Sequence, residues 1–162
     1  MGIADELIAN NHAYAAAYIP DRPLPPRRQL AVVTCMDSRL DTFALLGLEI
    51  GDAHILRNAG GVVTDDVIRS LTISQRLLGT EEIVLIHHTG CGMLTFSDDD
   101  FRSAVEKDTG IRPQWAAETF SDLDTGVRRS IARIKASPFI PRTDSVRGFV
   151  YEVETGRLRE VS

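Results

Sequence analysis

Cysteine is scarce in this chain: its 162 residues include two, Cys35 and Cys91. That excludes the disulfide framework that staples small secreted domains. A single Cys35–Cys91 disulfide remains as the oxidised alternative, and a reducing compartment disfavours it. Long apolar runs are missing as well, since none approaches the ~20 residues of a membrane span. Asp5 and Glu6 stand where an export signal would be basic, so the expected location is the cytoplasm. There is no basic stripe. The formal net charge is −5, with 7 basic and 14 acidic side chains over residues 1–100 and 11 and 9 over residues 101–162. That balance argues against a nucleic-acid footprint and reads as a solvated surface. Repeats and low-complexity tracts are also absent. With 43% hydrophobic and 25% charged residues, the composition is that of one soluble globular domain with a substantial core.

What is present divides into an arm and a body. Residues 4–18 predict an amphipathic helix, with Leu7, Asn11, Tyr14 and Tyr18 at helical spacing. The segment Pro20-Asp21-Arg22-Pro23-Leu24-Pro25-Pro26 cannot be helical and reads as an extended connector. One domain over 1–162 is expected, with 1–26 as helical arm and connector and 27–162 as an α/β core. The arm's apolar face must be covered by a partner subunit or by the chain's own surface.

Within the body, strands and helices alternate. Leu30 to Thr34, Ala53 to Arg57 and Glu82 to His87 read as strands. Helices are expected from Asp41 to Leu46 and from Asp65 to Leu78, the latter with Thr64 as N-cap and Gly79 past its end. Ser97 caps a third helix beginning Asp98-Asp99-Asp100, with Phe101 and Val105 facing inward and Gly110 at its end. Leu123, Val127, Ile131 and Ile134 mark a fourth, and Ser145 to Val153 with Arg157 to Val161 form a hairpin through Thr155-Gly156. The expected fold is therefore α/β. A mostly parallel central sheet, about four parallel strands plus one antiparallel edge strand, is flanked by helices on both faces.

Both cysteines fall in short motifs at predicted strand ends: Cys35-Met36-Asp37-Ser38-Arg39 and His88-Thr89-Gly90-Cys91. Two thiolates and one imidazole make a Cys₂His set for zinc with a fourth position left over, the arrangement of catalytic zinc. Open α/β sheets build sites beyond the carboxyl ends of their strands. If the first and third strands are neighbours, Cys35, His88 and Cys91 can meet there. Asp37 is a carboxylate close enough to be a conditional fourth ligand, and Arg39 offers a bidentate fork that can hold it away. The plainer reading of Asp37-Ser38-Arg39 is a helix start with a surface ion pair. His87, His54 and His12 read as packing or surface residues, Arg57 and Asn58 as loop anchors, and Trp115 and Phe120 as core or interface anchors. Asp98-Asp99-Asp100 reads as a helix start rather than a metal site. The non-enzymatic alternatives are a structural zinc, which would need Asp37 or His87 as fourth ligand, and a redox cysteine pair, which usually has Cys-x-x-Cys spacing.

Cys35-Met36-Asp37-Ser38-Arg39, Arg57-Asn58-Ala59-Gly60 and His88-Thr89-Gly90-Cys91-Gly92 together resemble the signature of β-class carbonic anhydrases, in order and spacing. The resemblance runs from about residue 28 to the final hairpin and is greatest to the short bacterial members. It implies zinc held by Cys35, His88 and Cys91, an Asp37–Arg39 pair beside it, and a backbone N–H of Gly60 offered to substrate. It implies a zinc lyase that hydrates carbon dioxide reversibly to bicarbonate and a proton, through hydroxide formed at the metal. It also implies a homodimer or tetramer of dimers, with the N-terminal helix across the partner. The same fold and zinc set host hydrolases of carbonyl sulfide and carbon disulfide, which is the alternative activity. Two positions depart from the family pattern. Gly90 stands where relatives often carry an acidic residue, and no glutamine matches the one that contacts substrate in plant-type members.

Overall fold

The computed structural model describes residues 2–20 and 22–162; Met1, and Asp21 of the connector, lie outside the described residues. The body is a five-stranded sheet in the order β2-β1-β3-β4-β5, formed by β1 (Leu30–Cys35), β2 (Ala53–Asn58), β3 (Glu82–His88), β4 (Val146–Glu152) and β5 (Arg157–Val161). The first four strands are parallel and β5 returns antiparallel along β4. β1 lies between β2 and β3, with Thr34 opposite both Arg57 and Ile86. The carboxyl ends of β1 and β3 are thus neighbours, which brings residues 35 and 88 to one rim.

Among the described residues there are five α-helices: α1 (Ile3–Ala16) on the arm, and α2 (Thr42–Leu46), α3 (Asp65–Leu78), α4 (Asp98–Thr109) and α5 (Leu123–Ala136) in the body. Their ends follow local chemistry. The side chains of Asp41, Thr64, Ser97 and Asp122 each accept an N–H in the first turn, and Gly47, Gly79 and Gly110 close α2, α3 and α4.

The two faces of the sheet are covered unequally. On one, Ala31, Val33, Ile83 and Leu85 pack with Val67 and Leu71 of α3 and Ile134 of α5. Each Val, Leu or Ile side chain there contributes about 1.5–3 kcal/mol by leaving water. Contact there is close enough that a side chain at Gly148 would run into Val127. On the other face, Val32, Leu48 and Ile86 form a small core with Phe43, Leu45 and Leu46 of α2 and its flanks, while Ile55, Val84, Phe149 and Leu158 remain only partly buried. The expected helical cover on both faces is therefore complete on one side only, because five residues of α2 cannot span a five-stranded sheet.

One further expectation is corrected: no residue of α4 is buried, and Phe101 is exposed rather than directed into the core. Of the two residues read as core or interface anchors, Phe120 is in the core at 6% exposure and Trp115 stands at the surface at 59%. The arm helix α1 buries nothing either, leaving Ile3, Leu7, Ile8 and Tyr14 in solvent. No helix among the described residues is long and apolar enough to cross a membrane.

Candidate metal centre

Cys35 is the last residue of β1 and His88 the last of β3. Three residues after His88, with Gly90 turning the chain at φ +61°, Cys91 comes back to the same point. One donor atom from each of Cys35, His88 and Cys91 lies within 4.8 Å of the others, and all three residues are buried. Both cysteines are free thiols rather than a disulfide.

The donor chemistry fits a divalent cation. The Cys91 thiol donates to the Cys35 sulfur. That bond, helped by His88 and the N–H groups of Asp37 and Gly60, brings the Cys35 pKa down to about 4 against the upward push of burial. Cys91 keeps the proton: its role as donor to Cys35, and then burial, push its pKa above the ordinary thiol range. Two sulfurs thus share one proton. At His88, burial opposes an imidazolium, yet the Cys35 thiolate, the Thr89 carbonyl and Asp37 together raise its pKa. His88 Nδ1 lies 2.8 Å from the Thr89 carbonyl oxygen. A carbonyl only accepts, so Nδ1 carries the hydrogen and the lone pair of neutral imidazole sits on Nε2. Nε2 is buried with no hydrogen-bond partner. A zinc ion would displace the shared proton and take that lone pair, meeting the needs of all three side chains.

Asp37 and Arg39 stand beside this cluster. Arg39 grips the carboxylate bidentately, Nε to Oδ1 at 2.9 Å and Nη2 to Oδ2 at 2.8 Å, while its backbone N–H donates to Oδ1 at 3.0 Å. Those bonds, the side-chain pair foremost, hold Asp37 well below the usual carboxylate range. Arg39 Nη2 also donates to the Gly90 carbonyl at 3.0 Å, tying the two cysteine loops together. Asp37 Oδ2 nevertheless lies 3.7 Å from His88 Nε2, close enough to reach the donor cluster after a small rotation.

Backbone contacts fix the rest of the rim. Arg57 donates to the carbonyls of Cys35 (2.9 Å) and Asp37 (2.7 Å), and Asn58 to that of Val62 (2.8 Å); both are the loop anchors expected. The Gly60 N–H is directed at Cys35 Sγ, 3.3 Å away, so in this structure it serves the sulfur. Gly60 (φ +84°) and Gly61 (φ +65°) make a turn no side chain would fit. A Cβ on Gly60 would lie 2.9 Å from Met93 Cγ, and one on Gly61 2.8 Å from the Thr34 carbonyl carbon.

Sequence reasoning missed one set of contacts entirely. Thr89 Oγ1 donates to Glu154 Oε2 at 2.8 Å and accepts the Val153 N–H at 3.0 Å. The Thr89 hydroxyl foremost, with the more distant Arg39 guanidinium assisting, keeps the Glu154 carboxyl below its ordinary value. The two residues are 65 apart in sequence, so no local pattern links them.

The remaining histidines lie outside the donor cluster. His87 is fully buried and stacked on Phe120 at 4.8 Å, and burial drives its pKa down to about 4. His54 bonds Ser74 at 2.7 Å, and His12 sits on α1. Asp98 is a helix start whose carboxylate takes the N–H groups of Glu118 and Thr119. Above the cluster opens a cavity of about 640 Å³ with Cys35, Asp37 and Cys91 on its floor. Its walls are mainly apolar, including Met36, Val62 and Met93, and Phe96, Phe101 and Trp115 stand at the α4 side.

Comparison with known proteins gives consistent results. The carbonic anhydrase family model matches residues 30–158. β-Carbonic anhydrase 1 of Mycobacterium tuberculosis is 54% identical over 162 residues, covering 100% of this chain and 99% of that protein. A carbon disulfide hydrolase of Acidithiobacillus thiooxidans is 37% identical over 158 residues, covering 84% of this chain and 78% of that protein. Among solved structures, a carbonic anhydrase from Streptococcus mutans superposes with a TM-score of 0.93 at 48% identity, covering 100% of this chain and 99% of that one.

Proposed function

Because the chain belongs to the β-carbonic anhydrase family, we propose that it is a zinc lyase that hydrates carbon dioxide reversibly to bicarbonate and a proton. The observation that carries this reading is the donor cluster itself: two buried sulfurs at the floor of an apolar cavity, with a buried imidazole Nε2 that has no hydrogen-bond partner beside them.

In this reading Cys35, His88 and Cys91 hold the metal. Zinc bound there supplies a Lewis acid that makes water ionisable near neutral pH. The chain's own residues do the rest. The mainly apolar walls receive carbon dioxide, which has no dipole to desolvate, and disfavour bicarbonate, whose charge seeks water. Asp37, ionised throughout the working pH range, accepts a hydrogen from water above the cluster and so orients it. Arg39 keeps the Asp37 carboxylate out of the fourth position, and a break in that pair makes Asp37 a conditional ligand. The Gly60 N–H is directed at the Cys35 sulfur at 3.3 Å, and the substrate contact that the resemblance gives it would require it to turn from that sulfur.

Residues 1–162 act as one domain, with 1–26 as arm and 27–162 as core, and the protein works in the cytoplasm as a homodimer or a tetramer of dimers. Support for the assembly comes from two apolar surfaces left without full cover among the described residues, α1 and the half-open sheet face. Its check is the molar mass in solution. Hydrolysis of carbon disulfide, or of carbonyl sulfide, is the second reading. The 37% identity to a carbon disulfide hydrolase and the largely apolar cavity favour it.

The deciding experiment measures stopped-flow carbon dioxide hydration and headspace consumption of the two sulfur gases. Both are run with the zinc-loaded protein and with protein stripped by a chelator. Rapid zinc-dependent hydration supports the main reading. Consumption of sulfur gas without hydration supports the second, and equal activity of the stripped protein rejects both.

A further inference from the structure

Thr89 is anchored from three directions at the point where β3 ends. Its N–H donates to the Tyr151 carbonyl at 2.9 Å, its hydroxyl donates to Glu154 at 2.8 Å, and that hydroxyl accepts the Val153 N–H at 3.0 Å. Its own carbonyl receives His88 Nδ1–H at 2.8 Å. The partner that fixes the His88 ring is therefore itself held by the end of β4 and the turn into β5. Glu154 lies in that turn, between Glu152 and Arg157, which Thr155 and Gly156 close by donating to the Glu152 carbonyl.

We propose that Glu154 is a positioning residue for the metal centre, acting through Thr89 to fix the orientation and tautomer of His88. Groups that hold a ligating imidazole by its second nitrogen typically contribute 10–100-fold to metal affinity. The orienting group is usually a carboxylate or carbonyl that touches the ring directly. Here the carbonyl touches the ring, and a carboxylate from another strand pair holds the residue that bears it. The inference rests on the reading of His88 as a zinc ligand.

The test compares zinc-loaded full-length protein with the variants Thr89→Val, Thr89→Ser, Glu154→Ala and Glu154→Gln. Three quantities are read: zinc loss to a competing chelator, the visible absorption of the cobalt-substituted form, and the melting temperature of the metal-free chain. Thr89→Val and Glu154→Ala are expected to lose zinc about tenfold faster or more and to shift the cobalt bands. The metal-free melting temperature should stay at the parent's in Glu154→Ala and fall in Thr89→Val, where the Val153 N–H loses its acceptor. Thr89→Ser keeps the hydroxyl, and Glu154→Gln keeps an oxygen that accepts it, so both are expected to retain zinc as the parent does. The proposal is overturned if Thr89→Val and Glu154→Ala hold zinc like the parent. It is also overturned if the loss in Glu154→Ala is matched by a lower metal-free melting temperature, which would make the contact purely structural. A parent protein that binds no zinc, or whose zinc survives His88→Ala, would remove the reading of His88 and this inference with it.

Discussion

Cys35, His88 and Cys91 are buried, and each is fixed by backbone: two by strand ends and the third by a tight turn three residues on. Asp37 and Arg39, a few ångströms away, sit at the mouth with Arg39's side chain half exposed, and are fixed chiefly by one another. Two of the donors are thus set by the sheet and the third by the turn that leaves it, so they move with the backbone. The carboxylate–guanidinium pair is set by rotatable side chains and can open while the fold stays intact. A grip built on strands and a gate built on side chains should fail differently.

The largest expected effect comes from breaking the grip. His88→Ala removes the imidazole donor while Arg39 still holds the neighbouring Asp37 carboxylate, so zinc content should fall far below one per chain. Hydration should fall by more than the ~100-fold upper range for loss of an outer partner. Metal analysis beside a stopped-flow assay checks both.

Opening the gate is expected to cost less. Arg39→Ala should keep zinc and fold while losing roughly 10–100-fold in hydration, by analogy with loss of other outer partners, because Asp37 is freed toward the cluster. Near-normal turnover in that variant would mean the pair is only a surface ion pair.

A third change strikes the rim that supports the grip. Gly60→Ala forces a side chain into φ +84° and against Met93, a strain of about 1–3 kcal/mol that should lower Tm by several degrees. Met93→Ala in the same chain should recover the part due to the clash.

The smallest effect is a null with a definite sign. Arg39 depresses the folded-state pKa of Asp37, so the stability Asp37 contributes is present above its unfolded value and is lost only as pH falls through the folded one. Between pH 6 and 9 the group stays ionised. The stability difference between the parent and Asp37→Asn should therefore stay constant across that window, as denaturant midpoints at several pH values would show. A difference that varies with pH there would mean the carboxylate titrates in the window and is not held by Arg39.

Much of this was readable from residues. Caps at Thr64 and Ser97 and the glycines closing α3 and α4 act within a turn, so those helices follow from sequence alone. The three donors were legible because two motifs sit at the ends of apolar runs. Inaccessible were the features that depend on how distant segments register. Local signals make α4 a helix but do not decide what its apolar side meets, and it meets a cavity instead of a core. The same holds for Arg57 on the Cys35 and Asp37 carbonyls, which needs β2 beside β1, and for Thr89 on Glu154, which needs β3 beside β4.

Gly61 shows how far the demands of the centre reach into residues without chemistry. Its missing side chain lets one peptide unit nest against another at the tip of β1, where a single methyl would wedge the Thr34–Cys35 linkage outward. Swapping this hydrogen for a carbon should displace the residue that carries the Cys35 sulfur, so a silent position governs where that sulfur stands as firmly as the strand that bears it.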